Sequence, residues 1–236
     1  MVDLLVFAPH PDDAEINCGA TIARHVRLGA SVAIVDATRG ELASRGTPAI
    51  RAAEAAAAAG VLGLSARENL GLPDGHLRGD DTGQRAAIVD CLRRYRPSVV
   101  LSMHGHARHP DHIALAALVG GAIKAAALHG LRTASGAPAH SGMRLWWYES
   151  ELRLEPALLV PAEAGDWQRK LDAIRCYGSQ LHQPAAGAPA TTIAAPGFVD
   201  DIDLRGRYWG KQCEATYAEA FAIGLDLPRV SDLRVI

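Results

Sequence analysis

The first part of the chain contains the stretch that decides its fold, Leu4-Leu5-Val6-Phe7-Ala8-Pro9-His10-Pro11-Asp12-Asp13-Ala14-Glu15. A short apolar run that ends at a proline predicts a strand buried on both faces of a parallel sheet. In open α/β folds, ligands bind just beyond the carboxyl ends of such strands. We therefore expect the histidine and the carboxylates that follow this strand to lie at a functional site.

The turn after this strand favours a divalent cation over a nucleotide. A dinucleotide site needs glycines that let the backbone approach a pyrophosphate, whereas Asp12, Asp13 and Glu15 would repel phosphate. His10 and Asp13 offer an imidazole nitrogen and a carboxylate oxygen, a donor set that suits zinc. Asp12 points elsewhere, because adjacent side chains diverge, and is free to act as a base. The alternative at this point is an Asp-rich helix cap with His10 merely exposed.

A second polar cluster also directly follows a predicted apolar strand. Residues 104–112, His-Gly-His-Ala-Arg-His-Pro-Asp-His, follow an apolar strand predicted at 98–103 and precede an apolar helix predicted at 113–128. Pro110 at the first helical position would place the two residues after it in the first turn.

The two clusters together predict a catalytic metal site. His112 can complete a zinc site with His10 and Asp13, and three protein ligands leave a position for water. Asp111 lies two residues from His109, close enough for its carboxylate to orient that imidazole. The alternative is a surface loop rich in histidine, or adventitious metal binding.

The rest of the pattern predicts alternating helices and strands within a single domain, residues 1–236. A hydroxyl cap at Thr47 followed by Pro48 indicates a helix start, and residues 183–199, rich in Pro, Ala and Thr, predict a long loop that could act as a lid. Further helices are predicted at 16–28, 82–95, 166–179 and 200–221, and further strands at 32–35, 69–72, 144–148 and 157–160.

Composition excludes several classes of protein. The chain has 236 residues, 49% hydrophobic and 21% charged, with a net charge of −2, which gives no electrostatic footprint for nucleic acid or a membrane surface. No apolar stretch approaches a membrane span, and the N-terminal run lacks the basic region of a signal peptide. Four cysteines are widely separated and form no CxxC pair, namely Cys18, Cys91, Cys176 and Cys213. In a chain without a secretion signal we expect them to be reduced and buried, and we expect a cytoplasmic protein.

The paired motifs of residues 8–15 and 109–112 resemble those of the PIG-L/LmbE family of zinc-dependent N-deacetylases. Further stretches resemble the branch that deacetylates the N-acetylglucosaminyl-malate precursor of bacillithiol, namely residues 38–51, 72–75, 207–210 and 217–221. The resemblance covers nearly the whole chain. It implies a Rossmann-like three-layer α/β sandwich with a mostly parallel sheet.

The resemblance also implies roles for the two clusters. It places one Zn²⁺ per chain on His10, Asp13 and His112, and makes Asp12 the base. It gives His109 the role of a charged stabiliser and acid, held by Asp111.

Substrate contacts are implied as well. Arg51 and Arg108 would meet the malate carboxylates, Asp74 would meet sugar hydroxyls, and Glu41 is a further candidate for substrate binding. From the residues alone, a cation in the first turn of a helix opposes the helix dipole. Arg51 should therefore have another partner, such as an anionic ligand, the alternative being a solvated surface arginine. Phe198 stands where some relatives have a tyrosine near the active site. The family often forms hexamers, so a homo-oligomer is expected.

These observations predict a hydrolase that removes the acetyl group from N-acetylglucosaminyl-malate. One alternative is an amidase or deacetylase for another N-acyl amino sugar, such as a thiol conjugate, a chitin fragment or an antibiotic. A second alternative is a non-catalytic metal- or nucleotide-binding module on the same fold. Iron or cobalt could also fill a site of nitrogen and oxygen ligands.

Overall fold

The computed structural model of the chain describes residues 1–181 and 189–224. Its helices and strands, in chain order, are β1 (Leu4–Ala8), α1 (Asp13–Arg27), β2 (Val32–Thr38), α2 (Pro48–Leu62), β3 (Ala66–Leu72), α3 (Thr82–Tyr95), β4 (Val99–Met103), α4 (Pro110–Ala126), β5 (Arg144–Tyr148), β6 (Leu158–Ala162), α5 (Ala164–Arg175), α6 (Phe198–Gln212) and β7 (Tyr217–Ile223).

The strands form one seven-stranded sheet in the order β3-β2-β1-β4-β5-β7-β6. Strands β3, β2, β1, β4 and β5 pair in parallel, and β7 pairs antiparallel with β5 and β6. Helices cover both faces, so the structure confirms the predicted three-layer α/β fold with a mostly parallel sheet.

Strand β1 lies inside the sheet and is apolar on both faces because both faces are covered. Leu5 and Phe7 pack into a core with residues of α3 and α4. Leu4 and Val6 point the other way, into a core built with α1, α2 and α5. All five residues of the strand are buried, which accounts for an unbroken apolar run instead of an alternating one.

Local capping signals set both ends of α2, and its start is the predicted one. The Thr47 hydroxyl accepts a hydrogen bond from the backbone N–H of Ile50 at 3.3 Å, and Pro48 is the first helical residue. Gly63 ends the helix with φ of 73°, a left-handed conformation that glycine adopts without a Cβ penalty. Helix α3 has the predicted bounds, 82–95.

The helix predicted over residues 200–221 is wrong in its second half. Helix α6 ends at Gln212, Glu214 turns the chain with φ of 57°, and Tyr217–Ile223 forms β7. The aromatic side chains that suggested a continuous helical face lie on both elements. The segment is a strand because it inserts between β5 and β6 and hydrogen-bonds with both.

Helix α1 is broken at Cys18, whose φ of −140° and ψ of 21° are not helical. Charged side chains satisfy the backbone groups that the break exposes. Arg205 donates to the carbonyl oxygen of Ile16 at 3.0 Å, and Glu219 accepts from the two N–H groups of residues 20–21 at 3.1 and 2.7 Å. Arg205 therefore caps the first segment of α1, and Glu219 caps the second.

Three smaller expectations concern other segments. Residues 183–188 of the predicted lid lie outside the described residues, and residues 189–197 contain no helix or strand. All four cysteines are free; Cys18 and Cys91 are buried as expected, while Cys176 and Cys213 are only partly buried. No helix among the described residues has the length and apolar character that a membrane span requires.

Candidate metal centre

The two predicted clusters meet at the carboxyl edge of the sheet. One follows β1 and the other follows β4, and these strands are parallel neighbours. The chain extends from β1 through β2 to β3 on one side and then continues at β4 on the other. This reversal of direction is a topological switch point, where open α/β sheets form their binding crevices.

The turn between β1 and α1 brings His10 and Asp13 together. The Asp13 carboxylate accepts the His10 backbone N–H at 3.1 Å, and its Oδ2 atom lies 3.2 Å from His10 Nδ1. Between them, Asp12 has φ of 124°, a conformation that non-glycine residues rarely adopt and that costs on the order of 1–3 kcal/mol. The fold therefore stabilises a strained residue next to the predicted ligands.

The start of α4 supplies the third predicted ligand. Pro110 is the first residue of the helix and His109 its cap, with the His109 Nδ1 atom accepting the Asp111 backbone N–H at 3.2 Å. His112 lies in the first turn, and its Nε2 atom is 3.5 Å from Asp13 Oδ2. The predicted placement of Asp111 and His112 is therefore the observed one.

The donor atoms of His10, Asp13 and His112 fit a single metal ion. They lie within 4.8 Å of one another, and Asp13 Oδ2 is 3.2 Å from one imidazole nitrogen and 3.5 Å from the other. Tetrahedral zinc with ligands at ~2.0–2.2 Å separates its donors by about 3.3–3.6 Å. The two separations from Asp13 therefore match those of a zinc site, and the donor set matches its chemistry.

Asp12 is buried beside these donors and pairs with Arg51. Each residue is 4% exposed, and Arg51 Nη2 lies 2.9 Å from Asp12 Oδ2. Burial raises the pKa of Asp12 to about 7, while the Arg51 guanidinium acts in the opposite direction. Arg51 also donates to the Pro11 carbonyl and to Gln180 Oε1.

This pairing changes the interpretation of Arg51. Its anionic partner is Asp12 of the same chain, so Arg51 is not a solvated surface residue. Its buried Nε has no hydrogen-bond partner among the described residues, and a direct contact with a substrate carboxylate stays a prediction. Arg108, the other predicted carboxylate contact, is exposed.

The carboxylates of Asp74 and Asp111 lie next to Nε2 of His10, the ring nitrogen that does not face Asp13. His10 Nε2 lies 3.1 Å from Asp74 Oδ1 and 3.4 Å from Asp111 Oδ2. The sequence had predicted that the Asp111 carboxylate orients His109; in the structure it faces His10 and accepts the backbone N–H groups of Gly75 and Leu77. The difference arises because the turn after β3 packs against the start of α4. His10, His109 and Asp111 also form a second group of potential donors within 4.8 Å.

His109 packs against both imidazole ligands. Its ring centre is 4.9 Å from that of His10 and 4.8 Å from that of His112. Partial burial and these two neighbours lower the pKa of His109 below its usual value. Since Nδ1 accepts a hydrogen bond from the backbone, the neutral ring carries its proton on Nε2.

The other predicted substrate residues have structural contacts of their own. Glu41 Oε1 accepts the Asp74 backbone N–H at 3.1 Å, and Asp74 Oδ2 accepts the Leu42 N–H at 2.8 Å. This pair links the loops after β2 and β3 at the edge of the site. Phe198 is the first residue of α6 and packs against the apolar cluster that contains Ile16.

Glu151 lies at the site although it was not predicted from the sequence. Its Oε2 atom lies 3.2 Å from His112 Nδ1, and its Oε1 atom accepts the backbone N–H groups of Arg108 and His109. Glu151 follows β5, as Asp74 follows β3. An acidic residue just past a predicted buried strand was the signal that could have identified it.

The geometry defines the chain as an α/β protein with a candidate mononuclear metal centre. It belongs to the PIG-L family, whose model, described as GlcNAc-PI de-N-acetylase, matches residues 5–123.

Two curated relatives carry more specific names. The chain is similar to the 1D-myo-inositol 2-acetamido-2-deoxy-alpha-D-glucopyranoside deacetylase of Kineococcus radiotolerans, with 32% identity over 57% of this chain and 48% of that protein. It is 31% identical to the probable N-acetyl-alpha-D-glucosaminyl L-malate deacetylase 2 of Bacillus anthracis over 46% of this chain and 54% of that protein. The matched part thus spans about half the length of these relatives.

Solved structures match over nearly the full length. A conserved protein of Thermus thermophilus is 38% identical, with a TM-score of 0.86 and 98% of each chain covered. The N,N'-diacetylchitobiose deacetylase of Pyrococcus horikoshii (94% of this chain and 83% of that one) and the 4-carboxy-2-hydroxymuconate hydratase of a Pseudomonas strain (98% and 99%) each have 23% identity and a TM-score of 0.79. At this identity the likeness shows the fold alone, and because the two named reactions differ, the shared fold by itself assigns no function.

Proposed function

We propose that this chain is a metal-dependent hydrolase that removes the acetyl group from an N-acetylglucosaminide, with N-acetylglucosaminyl-malate as the proposed substrate. The observation that carries the proposal is the convergence of His10, Asp13 and His112 on one point, with the buried Asp12 carboxylate beside them. Membership of the PIG-L family and the names of the two relatives support it.

Zinc held by His10, Asp13 and His112 would polarise the acetamide carbonyl and bring the pKa of a water towards ~7. Asp12 is not among these donors and is the base in this mechanism: its carboxylate takes a proton from the attacking water. The ion pair with Arg51 keeps that carboxylate in place. Oxygen adds to the amide carbon, the C–N bond breaks, and Asp12 returns the proton to the leaving amine, which gives acetate and a free amino sugar.

His109 stabilises the negative charge that develops on the amide oxygen. The Asp111 backbone N–H occupies Nδ1, so a neutral His109 has an Nε2–H donor for that oxygen. A donor fixed before the reaction begins stabilises a developing oxyanion without the cost of reorganisation. The resemblance gives His109 a charged role, and a protonated ring would present the same Nε2–H donor to that oxygen.

Acetate release tests the proposal directly. The zinc-loaded protein should release acetate from N-acetylglucosaminyl-malate faster than from plain N-acetylglucosamine, and release should fall to background after chelation and return with zinc. The inositol conjugate belongs in the same panel because of the Kineococcus relative. No acetate from any amide tested, despite full zinc occupancy, would instead favour the non-catalytic module.

Two arginine variants distinguish recognition of the malate group from support of the catalytic base. Arg108→Ala should raise KM by about 10-fold for the malate conjugate alone, because a charge-assisted hydrogen bond contributes ~1.5–3 kcal/mol. Arg51→Ala should lower kcat for every substrate, since Arg51 contacts Asp12. Steady-state kinetics on acidic and neutral conjugates measure both effects. An Arg51 variant impaired only on the malate conjugate would support the predicted direct contact between Arg51 and the malate carboxylate.

The resemblance also supports two proposals about the protein in the cell. We propose a homo-oligomer, with a hexamer favoured, and a cytoplasmic location.

A further inference from the structure

The two imidazole ligands of the candidate metal centre have the same arrangement around their rings. In each, one nitrogen faces Asp13 and the other faces a carboxylate outside the ligand set. In His10, Nδ1 faces Asp13 and Nε2 faces the carboxylates of Asp74 and Asp111. For His112 the order is reversed, with Nε2 3.5 Å from Asp13 and Nδ1 3.2 Å from Glu151.

We propose that Glu151 is a positioning residue for the metal centre, which holds the proton of His112 on Nδ1 and thereby leaves Nε2 free to bind the ion. A neutral imidazole carries one proton, and only the nitrogen without it can bind a metal. An ionised carboxylate accepts hydrogen bonds and donates none. Glu151 Oε2 beside Nδ1 therefore favours the tautomer that the site needs.

Glu151 is placed to do this by the sheet and by a second contact. It follows β5, which pairs in parallel with β4 up to Met103 and Tyr148. Its other oxygen, Oε1, accepts the backbone N–H of His109 at 3.0 Å and that of Arg108. The carboxylate thus bridges the loop that leads into α4 and the ring of His112, the ligand in the first turn of that helix.

His112 should depend on its carboxylate more than His10 does. Within the described residues, His10 Nε2 has two carboxylates within 3.4 Å, while His112 Nδ1 has Glu151 at 3.2 Å. The side chain of Glu151 is 27% exposed, whereas those of Asp74 and Asp111 are 7% and 0% exposed. Glu151 also lines a cavity of about 380 Å³ together with Arg153, Arg205 and Tyr208. Water can take the place of a lost Glu151 oxygen, but it can donate as well as accept and does not select a tautomer.

The test compares Glu151→Gln with Glu155→Gln, a matched control that removes the same charge from an exposed residue on the same segment. A glutamine at 151 cannot supply acceptors to both the backbone N–H groups and His112 Nδ1. Competition with a chromophoric chelator should show zinc affinity lower by about 10–100-fold in Glu151→Gln, and unchanged in Glu155→Gln. Circular dichroism of the zinc-free proteins checks that both variants fold.

A spectroscopic measurement separates this role from a merely structural one. In the zinc-loaded protein labelled with ¹⁵N-histidine, NMR should show a downfield Nδ1–H proton for His112, assigned by its loss in His112→Gln, and this signal should move upfield in Glu151→Gln. Unchanged zinc affinity in Glu151→Gln would overturn the proposal. So would lower affinity with an unmoved signal, since Glu151 would then act through the backbone alone.

The wild-type spectrum is decisive even if the variant does not fold, because metal on Nδ1 with the proton on Nε2 would contradict the proposal by itself. The inference rests on the metal site of the proposed function but not on its substrate. Zinc affinity and ring protons are measured without any amide, so a failed substrate panel and a failed role for Glu151 are separate results.

Discussion

Replacement of Asp12 by asparagine is expected to lower kcat by about 10²–10⁴-fold, the usual contribution of a general base, while the zinc content stays at one per chain. Asparagine keeps the size of the side chain and tolerates positive φ better than most residues, which matters because Asp12 has φ of 124°. Its amide cannot take a proton from water. Initial rates of acetate release and metal analysis of the same sample measure both effects.

The control for this variant is Asp80→Asn, the same substitution at a side chain that is 85% exposed. It should leave kcat and zinc content unchanged. Wild-type turnover in metal-loaded Asp12→Asn would show that the base lies elsewhere. A loss of zinc together with activity would instead make Asp12 a residue that supports Asp13, its neighbour in the turn.

Truncation of Glu219 to alanine should have the largest effect on stability, a loss of about 3–5 kcal/mol in the free energy of unfolding. Glu219 and Lys170 form an ion pair at 4% and 1% side-chain exposure, and the same carboxylate accepts the N–H groups of residues 20–21 beyond the break in α1. The variant leaves a buried ammonium without its counter-charge and two backbone donors without an acceptor. Urea denaturation followed by circular dichroism gives the difference.

A double variant tests the physical reason. Lys170→Met with Glu219→Gln removes both charges and keeps an amide acceptor for the backbone, so it should lose less stability than Glu219→Ala alone. Replacing both partners of a buried pair is often tolerated better than removing one. A Glu219→Ala protein within about 1 kcal/mol of wild type would mean that water already reaches this pair.

Features that depend on neighbouring residues could be predicted from the sequence. The apolar run of β1, the cap at Thr47 and the bounds of α3 are set by local preferences. The convergence of His10, Asp13 and His112 was predictable for a related reason. Each of them follows a buried parallel strand, and such strands end at one edge of a sheet.

Features that depend on distant segments could not be predicted. Nothing near Arg51 in the sequence shows that it is buried against Asp12, and its chemistry alone suggested an external anion. The partner of Asp111 is set by the packing of the turn after β3 against α4. The helix predicted to reach Phe221 failed because the sheet needed a strand there, and tertiary pairing overrides local preference.

The place of β7 in the sheet has a consequence for how the protein is made. In the described part of the chain, β6 (Leu158–Ala162) hydrogen-bonds with β7 and with no other strand, yet α5 and α6 separate the two. As the nascent chain leaves the ribosome, β6 emerges well before its partner and presents an open edge, which invites pairing with other chains. If synthesis stalled before residue 217, the edge of β6 would stay unpaired and could pair with other chains. Aggregation during synthesis is therefore most favoured after β6 has emerged and before β7 has been made.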